Sequence, residues 1–166
     1  MSNFSIFSES SAREKLAIFL ATWGFSGFLP KAPGTWGSLA ALPAGALIQF
    51  YAGSTGLLIA AIVLFAVGIW CSNVYVSVYG KEDPGEVVID EVVGVFITLA
   101  FVPFTLFWYL IAFALFRLFD ILKPFPINLL DRHVKGGVGI MVDDVVAAGY
   151  AASIAFALFL LFTLVL

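Results

Sequence analysis

The sequence predicts an all-α fold: a polytopic membrane helical bundle with about 4–5 membrane-embedded helices and a short N-terminal helix. Three observations lead there. Hydrophobic residues form 62% of the chain and charged residues 11%, with a mean hydropathy of +1.08, whereas soluble domains are about 45–50% apolar and about 25% charged. No charged residue occurs between Lys31 and Lys81. Eight of the nineteen charges instead crowd into the stretch from Arg117 to Asp144, and charge gathered beside a bilayer marks a functional site. At 166 residues the chain reads as one membrane-embedded domain, 1–166. A net charge of -3 without a block of like charge excludes nucleic acid as a partner. The lone Cys71 excludes an intrachain disulfide and a cysteine-based metal site.

Ser11-Ala12-Arg13-Glu14 has the form of a capping box and predicts a helix to about Trp23, stopped at Gly24. A signal peptide is the competing reading, but the apolar stretch Leu16 to Trp23 is short and no A-x-A site follows. A helix of about twelve residues rises only about 18 Å, too little to span, so it is expected in the interface or packed within the bundle. The uncharged run after Lys31 accommodates an antiparallel pair, Ser38 to Tyr51 and Leu57 to Tyr79, turned at Ala52-Gly53-Ser54-Thr55-Gly56. Pro43 is expected to kink the first of these or to mark its start. Pro33-Gly34-Thr35-Trp36-Gly37-Ser38 ahead of it reads as a loop.

A polar loop, Gly80 to Glu86, leads to Asp90-Glu91 and an uncharged run from Val92 to Phe116 that Pro103 interrupts. As one crossing, that run would put Asp90-Glu91 and the Arg117–Asp144 stretch on opposite sides of the membrane. As a hairpin turned at Pro103-Phe104-Thr105 it returns them to the same side. Helices starting near Glu86 and ending near Leu122 rise about 24 and 28 Å, close to the apolar thickness, and the hairpin is adopted. The last helix is expected from Asp143 to about Leu166, its acidic start suiting an N-terminus. All charges then share one face, which the positive-inside rule makes cytoplasmic.

Adjacent on a helix, Asp90 and Glu91 point about 100° apart, so a division of tasks is expected, one holding a cation and the other orienting a lysine or the backbone. Gly94, at i+4 from Asp90, leaves room for a close neighbour or ligand. Arg117, Asp120 and Lys123 recur at i, i+3 and i+6 among apolar neighbours, so their face looks into a polar cleft or protein interior. Asp143-Asp144 follows Gly136-Gly137-Val138-Gly139, read as a ligand-approaching loop; helix capping explains one of these aspartates and not both. Carboxylates on three segments suit a hard divalent cation such as Mg²⁺, and hence phosphate chemistry. Glycines and hydroxyls in the Pro33–Ser38 segment, ahead of a helix, have the makings of an anion nest. His133 reads as a surface hydrogen-bonding residue.

These blocks resemble the phosphatidylglycerophosphatase A family: Trp23-Gly24-Phe25-Ser26-Gly27 leading to Pro33-Gly34-Thr35-Trp36-Gly37-Ser38, then Val88-Ile89-Asp90-Glu91-Val92-Val93-Gly94, then Phe116-Arg117-Leu118-Phe119-Asp120-Ile121-Leu122-Lys123-Pro124-Phe125-Pro126, and finally Gly136 to Asp144. The resemblance runs from about Trp23 to Tyr150, leaving residues 1–22 outside. It implies an all-helical enzyme of the bacterial inner membrane, multi-pass, that uses Mg²⁺ to hydrolyse phosphatidylglycerophosphate to phosphatidylglycerol and phosphate. By position it implies functional roles for Asp90, Glu91, Asp120, Asp143 and Asp144, with Lys123. Joined to the residue chemistry, this places Mg²⁺ and an activated water among Asp90, Glu91, Asp120 and Asp144. Lys123, Arg117 and Arg132 are expected to neutralise phosphate oxygens, and Gly34, Thr35, Gly37 and Ser38 to supply phosphate-binding groups. The competing readings are a small cation transporter or channel and a phosphatase for another lipid phosphate. Against the transporter, the acids lie at helix ends and no inverted repeat is present.

Overall fold

The computed structural model describes residues 3–82 and 84–165, and every regular element among them is helical. Helix α1 spans Asn3–Glu9 and α2 spans Ala12–Ala21. The capping box ahead of α2 forms as expected: the Glu14 N–H donates to Ser11 Oγ at 3.4 Å and the Ser11 N–H donates to Glu14 Oε2 at 2.8 Å. Left-handed backbone at Trp23 and Gly24 (φ 45 and 65) follows the end of the helix. Ala17, Ile18 and Ala21 are buried, and α2 packs on the next helix.

Helix α3 covers Pro33–Tyr79 in two arms, residues 33–52 and 54–79, about 30 and 39 Å long at helical rise. Gly53, with φ 63 and ψ -166, separates them in a conformation that is essentially closed to side-chain-bearing residues. Packing shows that the arms fold back on each other: Val88 lies against Gly37 and the adjacent Ile89 lies near Gly68. The antiparallel pair is therefore present. Its start differs from the sequence reading, because residues 33–38 are the opening turns of α3 and not a loop. Pro33 sits at the first helical position, where its fixed φ suits the helix and its missing N–H leaves no bond unmade. Pro43 neither starts the helix nor takes it out of helical torsions.

Helix α4 (Ile89–Leu99) is the most enclosed element, with Ile89, Val92, Val93, Val95, Phe96 and Leu99 all buried. It packs against α3, α5 and α7. Residues 100–105 reverse the chain at Pro103 into α5 (Leu106–Leu122), whose N-terminus Thr105 caps by accepting the Trp108 N–H. Phe116 covers Gly94, filling the room left there with a side chain. At the hairpin tip, Gln49 donates to the Val102 carbonyl at 3.2 Å and accepts the Tyr109 hydroxyl at 2.5 Å. The hairpin reading holds, since Arg117 of α5 meets Glu91 of α4 at the opposite end.

After a short helix α6 (Ile127–His133) comes α7 (Gly136–Val165). It begins seven residues before the expected Asp143, so Gly136 to Gly139 are its first turn. The Gly137 N–H donates to Asn73 Oδ1 at 2.8 Å, meeting a donor that a helix start leaves free. Helices α3 and α7 are long and apolar enough to cross a membrane. Large apolar side chains stand outward over the bundle, among them Ile62 (70% exposed), Leu106 (77%) and Leu164 (84%). Such a surface calls for lipid around it.

Candidate active site

The charges meet at the end of the bundle away from the Pro103 turn. Asp90 and Glu91 come from the first turn of α4, and Asp120 from the last turn of α5. Lys123 caps that helix in left-handed backbone (φ 42, ψ 57). Asp143 and Asp144 stand on α7, two turns inside it, and are 6% and 3% exposed. A cavity of about 170 Å³ is lined by all six of these side chains.

One oxygen each from Asp90, Glu91 and Asp144 lies within 4.8 Å of the others. Asp90 and Glu91, adjacent on α4, thus each bring an oxygen to one cluster. The longer glutamate side chain reaches across the angle that separates the two Cα–Cβ bonds. At an effective dielectric near 20, two carboxylate charges about 5 Å apart repel by about 3 kcal/mol, so three together need a counter-charge. Glu91 Oε2 and Asp144 Oδ2 are buried with no hydrogen-bond partner in the structure. Buried acceptors without donors, all carboxylate, are compatible with a metal cation.

Arg117 stands behind this cluster. Its Nη1 lies 2.7 Å from Asp120 Oδ2 and 3.6 Å from Glu91 Oε1, and donates to Ser38 Oγ at 3.4 Å. Ser38 in turn donates to the Gly34 carbonyl at 2.8 Å. Gly34 permits this approach: a Cβ there would fall 2.1 Å from Glu91 Oε1. Gly37 is buried against Val88 and Thr35 is half-buried. Arg132 is exposed in the last turn of α6. None of Gly34, Thr35, Gly37, Ser38, Arg117 and Arg132 lines the cavity. His133 is exposed, its Nδ1 2.8 Å from the Leu129 carbonyl oxygen.

Lys123 is one of two lysines that line the cavity, and the one paired with its carboxylates. Its Nζ donates to Asp143 Oδ2 at 2.8 Å and to Asp131 Oδ1 at 2.5 Å. Partial burial disfavours the ammonium, but the hydrogen bonds and charges of Asp131 and Asp143 outweigh it and hold the amine well above the usual lysine range. Sequence reasoning missed Asp131, Glu82 and Lys135, which also line the cavity. The available signal for Asp131 was the pair of prolines, Pro124 and Pro126, which turn the chain so that α6 comes back beside Lys123.

An acidic cluster compatible with a cation, with a lysine facing the same cavity in an apolar helical body, suits an enzyme that works on an anionic group beside a membrane. The chain belongs to the phosphatidylglycerophosphatase A family, whose model matches residues 19–159. It is 46% identical over 143 residues to phosphatidylglycerophosphatase A of Haemophilus influenzae, covering 85% of this chain and 88% of that one. The Escherichia coli protein of that name is 38% identical over 130 residues, covering 78% and 75%. A Bacteroides thetaiotaomicron protein provisionally named a phosphatidylinositol-3-phosphatase is 46% identical over 143 residues, covering 82% and 89%. No solved structure matches the chain.

Proposed function

We propose that this protein hydrolyses phosphatidylglycerophosphate to phosphatidylglycerol and phosphate, with Mg²⁺, at the cytoplasmic face of a bacterial inner membrane that it crosses several times. The observation that carries the reading is the convergence of Asp90, Glu91 and Asp144 with two partnerless buried oxygens, beside Lys123 in one cavity. Asp90, Glu91 and Asp144, with Asp120 alongside, would hold Mg²⁺, and the chemistry it would supply there is Lewis-acid polarisation of a phosphoryl group and activation of water.

The chain's own groups do the rest. Lys123 binds a phosphoryl oxygen and Asp143 keeps its ammonium aimed into the cavity. Arg117 holds Glu91 and Asp120 in place and offsets their charge, while Gly34 and Ser38 support Arg117 from α3. Thr35 and Gly37 complete that supporting turn, and Arg132 adds positive charge at the outer surface, where an anionic head group arrives. Hydrolysis forms a P–O bond to water and breaks the bond to the terminal glycerol oxygen. A carboxylate lining the cavity accepts the proton lost by water, and that same proton passes to the departing glycerol oxygen, so the step balances. The acyl chains stay in lipid beside the apolar helices.

A different lipid head group is the second reading, favoured by the name of the Bacteroides relative. Phosphate release by purified protein from a panel of lipid phosphomonoesters, with and without Mg²⁺, separates the two. Turnover of phosphatidylglycerophosphate at least tenfold above that of phosphatidylinositol phosphates, and abolished by chelation, supports the first. Equal or reversed preference, or metal-independent turnover, rejects it.

A further inference from the structure

Asp131 is not among the residues that the family resemblance points to, yet Lys123 Nζ donates to it as well as to Asp143. The two carboxylates differ in setting. Asp143 is on the long helix α7 with its side chain 9% exposed, whereas Asp131 is on the seven-residue α6 with its side chain 36% exposed. Helix α6 packs chiefly on α7, and the Lys123–Asp131 pair is its ionic link to the end of α5. Seven carboxylates line the cavity against two lysines, so an incoming phosphate meets a strongly negative enclosure.

We propose that Asp131 is a positioning residue that acts as an exchangeable stand-in for phosphate on Lys123. With the cavity free of phosphate, it keeps the ammonium engaged from the outer side while Asp143 holds it from within. An arriving phosphomonoester takes the place of Asp131, the more accessible partner, and Lys123 stays on Asp143. After hydrolysis, Asp131 competes with inorganic phosphate for the same ammonium and speeds its departure. This rests on the phosphatase reading, in which Lys123 contacts the phosphoryl group.

The test is inhibition of lipid phosphate hydrolysis by inorganic phosphate in detergent micelles. Asp131→Asn removes a competing negative charge, so phosphate should bind roughly threefold to tenfold more tightly, with a parallel fall in KM and no gain in kcat. Asp131→Glu, which restores the carboxylate, should return the inhibition constant toward wild type; a purely structural role would not follow charge in this way. An inhibition constant unchanged or raised in Asp131→Asn overturns the proposal. Should that variant not fold, hydrogen exchange of residues 127–133 in the wild-type protein decides: added phosphate should speed it by freeing α6, and no change overturns the proposal. Lys123→Met separates the two levels. If it keeps wild-type turnover, the assignment of Lys123 to phosphate fails; if it is inactive while Asp131→Asn leaves phosphate inhibition unaltered, only the exchange fails.

Discussion

Replacing Asp144 with Asn should have opposite effects on the stability of the metal-free protein and on its response to Mg²⁺. Asp144 is 3% exposed, its Oδ2 has no partner, and its nearest oxygen lies within 4.8 Å of both Asp90 and Glu91. At an effective dielectric near 20, each of those two repulsions is about 3 kcal/mol. Relaxation of the side chains and entry of water leave a smaller gain, about 1–3 kcal/mol, and for a chain of this size each kcal/mol moves Tm by about 2–4 °C. The metal-free variant should therefore melt a few degrees higher. Wild-type protein with Mg²⁺ at a hundred times its Kd should gain about 2.7 kcal/mol from binding, and the variant should lose most of that gain along with turnover. Thermal unfolding in detergent, with chelator and with Mg²⁺, measures both shifts in the same samples. A variant that melts lower without metal, or that keeps the full Mg²⁺ shift, would refute the electrostatic reasoning.

Three other substitutions probe the surroundings of the cluster. Gly34→Ala places a methyl group 2.1 Å from Glu91 Oε1, so it should lower phosphate release more than tenfold and destabilise by about 1–3 kcal/mol, read from turnover and Tm. Arg117→Met leaves Glu91 and Asp120 without their shared cation, which should cost about 3–5 kcal/mol in unfolding free energy, whereas Arg117→Lys should recover part of it. Gly53→Ala meets no atom within 4 Å but takes a side chain into a strained φ/ψ region at about 1–3 kcal/mol. Because Gly53 lies at the opposite end of the bundle from the cavity, Tm should fall while kcat at permissive temperature is unchanged.

Much of this arrangement was legible where a residue's local chemistry and its tertiary role agree. Ser11 and Glu14 cap α2 because both partners lie within one turn. Pro103 reverses the chain, and that single decision brings Asp90 and Glu91 to the same end as Asp120. The failures concern residues whose local propensity argues against their setting. Gly34 and Gly37 read as loop because glycine disfavours helix, yet they sit in α3 because Glu91, Arg117 and Val88 press against them. Gly137 and Gly139 misled in the same way, since Asn73 and the Val134 carbonyl lie against them. Apart from the Gly139–Val134 contact, these join residues far apart in sequence, and they override helix propensity without leaving a periodic trace. Asp131 was visible as a charge, but its partner became definite only once α6 folded back.

The central claim, that Asp90, Glu91 and Asp144 together hold a divalent cation, is tested most directly by Mn²⁺ binding to the detergent-solubilised protein, followed by electron paramagnetic resonance. Wild-type protein should take up at least one ion per chain, displaceable by Mg²⁺, and Asp90→Asn, Glu91→Gln and Asp144→Asn should each weaken that uptake by tenfold or more while remaining folded. Folded variants that bind Mn²⁺ as tightly as wild type would contradict it.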